Sequence, residues 1–176
     1  MDLAFTIMSV LCLISAAGLL AALFIIDLRH FLLLDKFVFP FAVLGAFFHT
    51  STHFLLLSPT AMALGAFTGG GLLWIIRWGG TKYYKQEAMG LGDVKLLLAA
   101  GIWLGPEHTI TAILLGATAG LIHGLGVAAA RALKTGTFSI DRLIIPAGPG
   151  FIVGIIAAFI WAFGGPYITH LETVMS

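Results

Sequence analysis

Residues 3–26, LAFTIMSVLCLISAAGLLAALFII, run for twenty-four positions without a charged side chain. A helix needs roughly 20 apolar residues, each rising about 1.5 Å, to cross a hydrocarbon core about 30 Å thick. The run is therefore long enough to span a bilayer, and few soluble folds could bury it on all sides. The start carries Asp2 and neither Lys nor Arg, the apolar stretch exceeds a signal-peptide core, and no small-residue cleavage site follows. These features predict a retained membrane helix rather than a cleaved leader.

The pattern repeats along the chain. Apolar runs bounded by charges or by Gly/Pro clusters predict helices at 4–26, 37–57, 60–78, 94–105, 109–130 and 143–168. With 60% hydrophobic residues, 10% charged residues and a mean hydropathy of +1.06, the expected fold is an all-α membrane protein. It is a bundle of about six transmembrane helices forming a single domain over residues 1–176. No internal repeat, low-complexity linker or soluble domain interrupts it. Pairs of small residues four apart (Gly65/Gly69, Gly101/Gly105, Gly116/Gly120, Gly120/Gly124, Gly150/Gly154) predict close helix packing.

Charge placement orients the bundle. All nine Lys and Arg (Arg29, Lys36, Arg77, Lys82, Lys85, Lys95, Arg131, Lys134, Arg142) fall in or beside the loops that share one face if the amino terminus lies outside. The opposite face carries Asp2, Glu107 and Glu172. By the positive-inside rule both termini are expected on the non-cytosolic side. No basic run is long enough to track a phosphate backbone, so nucleic acid is not an expected partner. The single cysteine, Cys12, excludes a disulfide within one chain and a cysteine zinc site.

The fourth segment does not fit a simple span. Eleven residues separate Lys95 from Glu107, and at about 1.5 Å each they cover about 17 Å of the core. Either the backbone before this segment or the loop after it must enter the bilayer beside protein or a cavity. The glycine-rich GLGD at 90–93 is the better candidate.

Two acids stand out by position. Asp27 follows AALFII at the inner end of the first helix, and Asp93 precedes VKLLLAA, on the same predicted face. Two aspartates brought together can share one proton, so that one activates water while the other protonates a carbonyl oxygen or a leaving amine. The residues alone leave another reading open. Gly-Asp-Val at a helix start is also an ordinary N-cap, and Asp27 in DLRH could be a loop carboxylate paired with Arg29. Gly90 and Gly92, flanking one residue, favour the first reading because glycine permits φ > 0 and close approach to the carboxylate.

Three stretches carry a resemblance. EAMGLGDVKLLLAAGIWLG from Glu87 resembles the Gly-x-Gly-Asp region of the type IV prepilin peptidases, and IIDLRHFLLLDKFVFP from Ile25 resembles their first aspartate motif. IPAGPGF from Ile145 is similar to their Pro-x-Gly-Pro segment, and the three occur in the family order. The resemblance implies an intramembrane-type aspartyl endopeptidase of the inner membrane. Such an enzyme removes the basic leader of prepilins or pseudopilins at the cytosolic surface, cleaving after a glycine. It implies Asp27 and Asp93 as the catalytic pair and Gly90 and Gly92 as shaping the second aspartate's loop. Pro146, Gly148 and Pro149 would line or support the site. Asp35 matches a recurrent position, with a loop ion pair to Lys36 or Arg29 as the alternative; Lys95, beside Asp93, joins the supporting residues. Asp35, Glu87 and Asp141 are the candidates for recognising a basic leader.

Departures from the family pattern also carry expectations. Members that also methylate the new amino terminus have a cytosolic insertion with four cysteines, which this chain lacks, so peptidase without methyltransferase activity is expected, in a short form of the family. LLLD replaces the usual LIPD or LLPD, removing a proline before Asp35. The expected partners are a prepilin-type substrate and the lipid bilayer, with no cofactor and no metal; the oligomeric state is left open. The main rival reading is a small transporter or channel, in which broken helices and buried acids mark an ion path.

Other residues invite function less strongly. His49 and His53 have the i, i+4 spacing of a metal pair, but with no evident third ligand they read as interfacial histidines. His123 reads as a packed residue, and Tyr83 and Tyr84 between Lys82 and Lys85 as interfacial anchors.

Overall fold

The computed structural model describes residues 3–30, 32–87, 89–135 and 147–175. It contains α1 (Leu3–His30), α2 (Asp35–Ser51), α3 (Pro59–Tyr84), α4 (Leu91–Thr135) and α5 (Gly148–Met175), with no strand among the described residues. All except α2 are long and apolar enough to cross a membrane. The chain is thus an all-helical, multi-pass membrane protein.

Six predicted segments map onto five helices because 94–105 and 109–130 join within α4. The join is broken at Gly105, which takes φ 71° and ψ 177°, a backbone conformation that costs a side chain dearly and glycine little. Pro106 follows and has no N–H to donate. The sequence placed the irregular backbone at GLGD, but the structure corrects this: α4 already begins at Leu91, and the irregular point lies at the far end of that arm.

Helix boundaries move for local reasons. α1 continues through Asp27 to His30, since nothing between Ile26 and His30 breaks a helix and Arg29 and His30 suit the negative end of the dipole. α2 stops at Ser51, not at 57. There the hydroxyls of Ser51 and Thr52 donate back to the carbonyls of Phe48 and His49, and His53 and Phe54 adopt left-handed φ values of 51° and 57°. Such side-chain-to-backbone bonds compete with continuation of the helix. α3 starts with Ser58 capping the Ala61 amide at 3.3 Å and Pro59 in the first turn. It runs past Gly79 and Gly80 to Tyr84, where Lys85 caps it in the left-handed conformation. The predicted start of the last helix at 143 lies outside the described residues.

Small residues do join helices, in two seams. A Cβ on Gly65 would meet the Gly101 carbonyl, and one on Gly101 would meet the Gly65 carbonyl, so α3 and α4 pack backbone to backbone; Gly69 lies equally close to Leu97. Gly116 of α4 faces Phe151, while Gly150 and Gly154 of α5 face Gly116 and Ala112. Gly120 belongs to the same seam, since a Cβ on Gly150 would lie 3.0 Å from its amide nitrogen, although a Cβ on Gly120 itself would point into open space.

An aromatic cluster fills the centre. Trp103 stacks between Phe41 and Phe48 with ring centroids 5.4 and 5.3 Å apart, and its indole N–H donates to the Phe41 carbonyl at 2.9 Å. His49 is fully buried, not interfacial. Its Nε2 bonds the Trp103 carbonyl at 3.1 Å, an acceptor that the break at Gly105 deprives of regular helical geometry. His53 lies beyond the end of α2 against Phe5, so the two histidines do not share a helix face. On the α1 side, Ser9 and Tyr167 hydroxyls meet at 2.7 Å and tie α1 to α5.

Candidate active site

Asp27 sits in the last turn of α1 and Asp93 in the first turn of α4. Both are buried, with 4% and 7% of their surface exposed, and Leu33 stands both against Gly92, the residue before Asp93, and against Gly148, the residue set on Asp27. Two carboxylates distant in the sequence therefore share one enclosed region. Asp27 is not a loop acid paired with Arg29, and Asp93 lies inside α4 rather than at its cap.

Glycines set the walls. Gly148 opens α5 against Asp27: its amide approaches the carboxylate, and a Cβ there would lie 2.5 Å from Oδ2 and 3.2 Å from Leu33. Asp27 Oδ2 has no hydrogen-bond partner among the described residues. A Cβ on Gly92 would lie 2.6 Å from the Cβ of Leu33. Leu33, in the link between α1 and α2, is thus wedged between the starts of α4 and α5. Gly90 has more room, its nearest neighbour being Asp93 Oδ2 at 3.4 Å.

Of the two freedoms that glycine permits at 90 and 92, a positive φ is used at neither. Gly105 is the one described glycine with a positive φ, and close approach is what Gly92 supplies. Pro149 is buried in the first turn of α5, where a missing N–H costs no helical bond. Pro146 and Asp141 lie outside the described residues.

Two ion pairs frame the region. Lys95 Nζ meets Asp35 Oδ2 at 2.6 Å, joining α4 to the start of α2. Asp35 therefore pairs with neither Lys36 nor Arg29 as its loop-acid alternative had it. Arg77 of α3 bonds Glu87 Oε1 at 3.0 Å and also donates to the Met89 carbonyl. It thereby fastens the segment that leads into Gly90 and Asp93. Asp35 and Glu87 both remain largely exposed.

Leu33 and Arg77 escaped the sequence reading. Nothing local marks Leu33 among three leucines. Arg77, a lone cation at the end of an apolar run, did carry a signal, since a charge in that setting calls for a partner. Among the described residues no group of His, Cys, Asp and Glu is placed to hold a metal.

Residues 13–125 match the Type IV leader peptidase family. Among curated proteins, the Prepilin leader peptidase/N-methyltransferase of Aeromonas salmonicida (strain A449) is 32% identical over 89% of this chain and 50% of its own length. The protein of the same name from Pseudomonas aeruginosa PAO1 is 34% identical over 81% of the chain and 46% of its own. That from Escherichia coli K12 is 39% identical over 59% and 44%. The chain thus spans about half the length of these relatives. No solved structure gives a significant match. The matched region contains both aspartates and the glycines around Asp93, and on this basis the chain belongs to the type IV leader peptidase family.

Proposed function

We propose that this chain is a membrane aspartyl endopeptidase that removes the short basic leader of prepilins or related pseudopilins at the cytosolic face of the inner membrane. The supporting observation is that Asp27 and Asp93 are both buried and that Leu33 packs against the glycine beside each of them. Two such carboxylates are costly to ionise at once, so one proton is held between them.

The chemistry follows from that shared proton. The ionised carboxylate takes a proton from water, and the water oxygen attacks the scissile carbonyl carbon while the protonated partner gives its proton to the carbonyl oxygen. Breaking the C–N bond then passes the proton taken from water to the leaving amine. Gly148 and Gly92 keep the surrounding backbone near enough to hold both side chains in place.

The positive face defined by Arg29, Lys36, Lys82, Lys85 and Lys95 supports a cytosolic site with both termini outside. Asp35 and Glu87 offer exposed carboxylate surface for leader cations, and charge reversal at both should raise KM for a basic leader. Cleavage without methylation is the expected outcome for this stretch of chain, whose one cysteine is buried in α1.

The transporter reading needs the helix break and the acids to form one pathway. Gly105 lies twelve residues beyond Asp93, about 18 Å along the helix, which separates them.

The test is cleavage of a purified prepilin-type substrate by the membrane-reconstituted chain. Wild type should shorten it at one bond, with Asp27→Asn and Asp93→Asn each slower by about a thousandfold or more. Wild-type rates in either variant would sink the proposal, and methylated product would overturn its second half.

A further inference from the structure

An apolar groove of about 470 Å³ runs between α1 and α5. Ala17, Ala21 and Phe24 form one wall, Ile152 and Ile156 the other, and Trp103 contributes to its base. Both helices are among those able to cross the membrane, and Val153 and Ile156 on the rim are 48% and 43% exposed. The groove therefore opens sideways, toward lipid.

Its position narrows the occupant. Phe24 and Ile25 at one end precede Asp27 by less than a turn, and Ile152 follows Gly148, the residue set against Asp27, by about one turn. An apolar helix lying in the groove would deliver its inner end to the two aspartates. The volume is in the range of ligand pockets, roughly 300–1,000 Å³, enough for the side chains of one helix face and far too small for a whole helix. We infer that this groove seats the membrane helix of the substrate, one face inserted, so that the residues just after the cleaved bond are held beside Asp27. This rests on the peptidase reading above and adds to it where the uncleaved part of the substrate is gripped.

The experiment uses two substrates: a polypeptide with a basic leader, a glycine and an apolar helix of about twenty residues, and a short soluble peptide carrying only the leader and the cleavage site. Ala17→Trp and Ile156→Trp fill the groove; Ile122→Trp, exposed on α4, is the control. Groove filling should raise KM for the helical substrate about tenfold or more and leave the short peptide and the control unchanged. Unchanged KM in the groove variants overturns the inference while leaving the peptidase reading intact. Wild type that cleaves neither substrate overturns both.

A second measurement covers groove variants that lose all activity through misfolding. Benzoylphenylalanine is placed at Ile156 or at Ile122 in an Asp27→Asn background, which retains uncleaved substrate. An adduct with the helical substrate from 156 and none from 122 is the expected result. Equal adducts at both positions, or only self-adducts or lipid adducts from 156, assign the groove to another occupant and overturn the inference.

Discussion

Gly148 and Asp27 meet so closely that a single methyl group on the glycine would lie 2.5 Å from the carboxylate oxygen. The contact joins the start of α5 to the end of α1 and makes the position of one aspartate depend on a backbone remote in sequence. Gly148→Ala must push Asp27 or Leu33 aside. Cleavage should fall by about a hundredfold, the scale of a roughly 1 Å misplacement, while the variant still inserts and unfolds as a helical protein. Undiminished kcat in that variant would show that Asp27 has room to spare.

The two motif glycines should behave differently. Gly92→Ala drives a methyl into the Cβ of Leu33, 2.6 Å away, whereas Gly90→Ala finds Asp93 Oδ2 at an ordinary 3.4 Å. Overpacking of this kind costs about 1–3 kcal/mol, so Gly92→Ala should lower both stability and cleavage and Gly90→Ala should change either little. Thermal unfolding in detergent and initial rates on one substrate check both. Equal tolerance of the two substitutions would contradict the wedged position of Leu33.

The pH profile of kcat/KM should be bell-shaped. Acid protonates both carboxylates and removes the base; alkali strips both and removes the acid, so activity needs the singly protonated pair. The two limbs belong to the pair and not to either residue. A profile with a single limb across the range where the protein stays folded would argue against a shared proton.

His49→Leu removes the donor that meets the Trp103 carbonyl next to the broken turn. Leaving that buried acceptor unmatched costs about 1–3 kcal/mol, and the melting temperature should drop by a few degrees. The kcat of the folded fraction should hold, because His49 lies at the opposite end of the first arm of α4 from Asp93. A parallel loss of kcat would link the break to the catalytic end.

How much of this was written locally depends on the residue. Asp27 and Asp93 were legible because a carboxylate at the mouth of an apolar run is expensive without a task, and the runs themselves announced the helices. The early end of α2 was less so: Thr50, Ser51 and Thr52 read as helix continuation until their hydroxyls turn back on the chain. The pairing of Asp35 with Lys95, sixty residues away, and the wedge of Leu33 between two helix starts arise only when the chain folds back on itself. Periodicity has no access to such contacts. Gly105–Pro106 shows the middle case, since the residues of a break were visible but GLGD looked better able to supply it.

The seam of Gly65 against Gly101 carries a mechanical consequence. Where one main chain rests on another, no rotamer can yield, so α3 and the first arm of α4 translate and tilt as one plate. Asp93 belongs to that plate, together with the segment Arg77 fastens. Asp27 rides on α1 and is set instead against the main chain of Gly148 at the head of α5. A polypeptide cleaved as proposed would then enter where this plate meets the α1–α5 pair, with Asp93 on one side and Asp27 on the other.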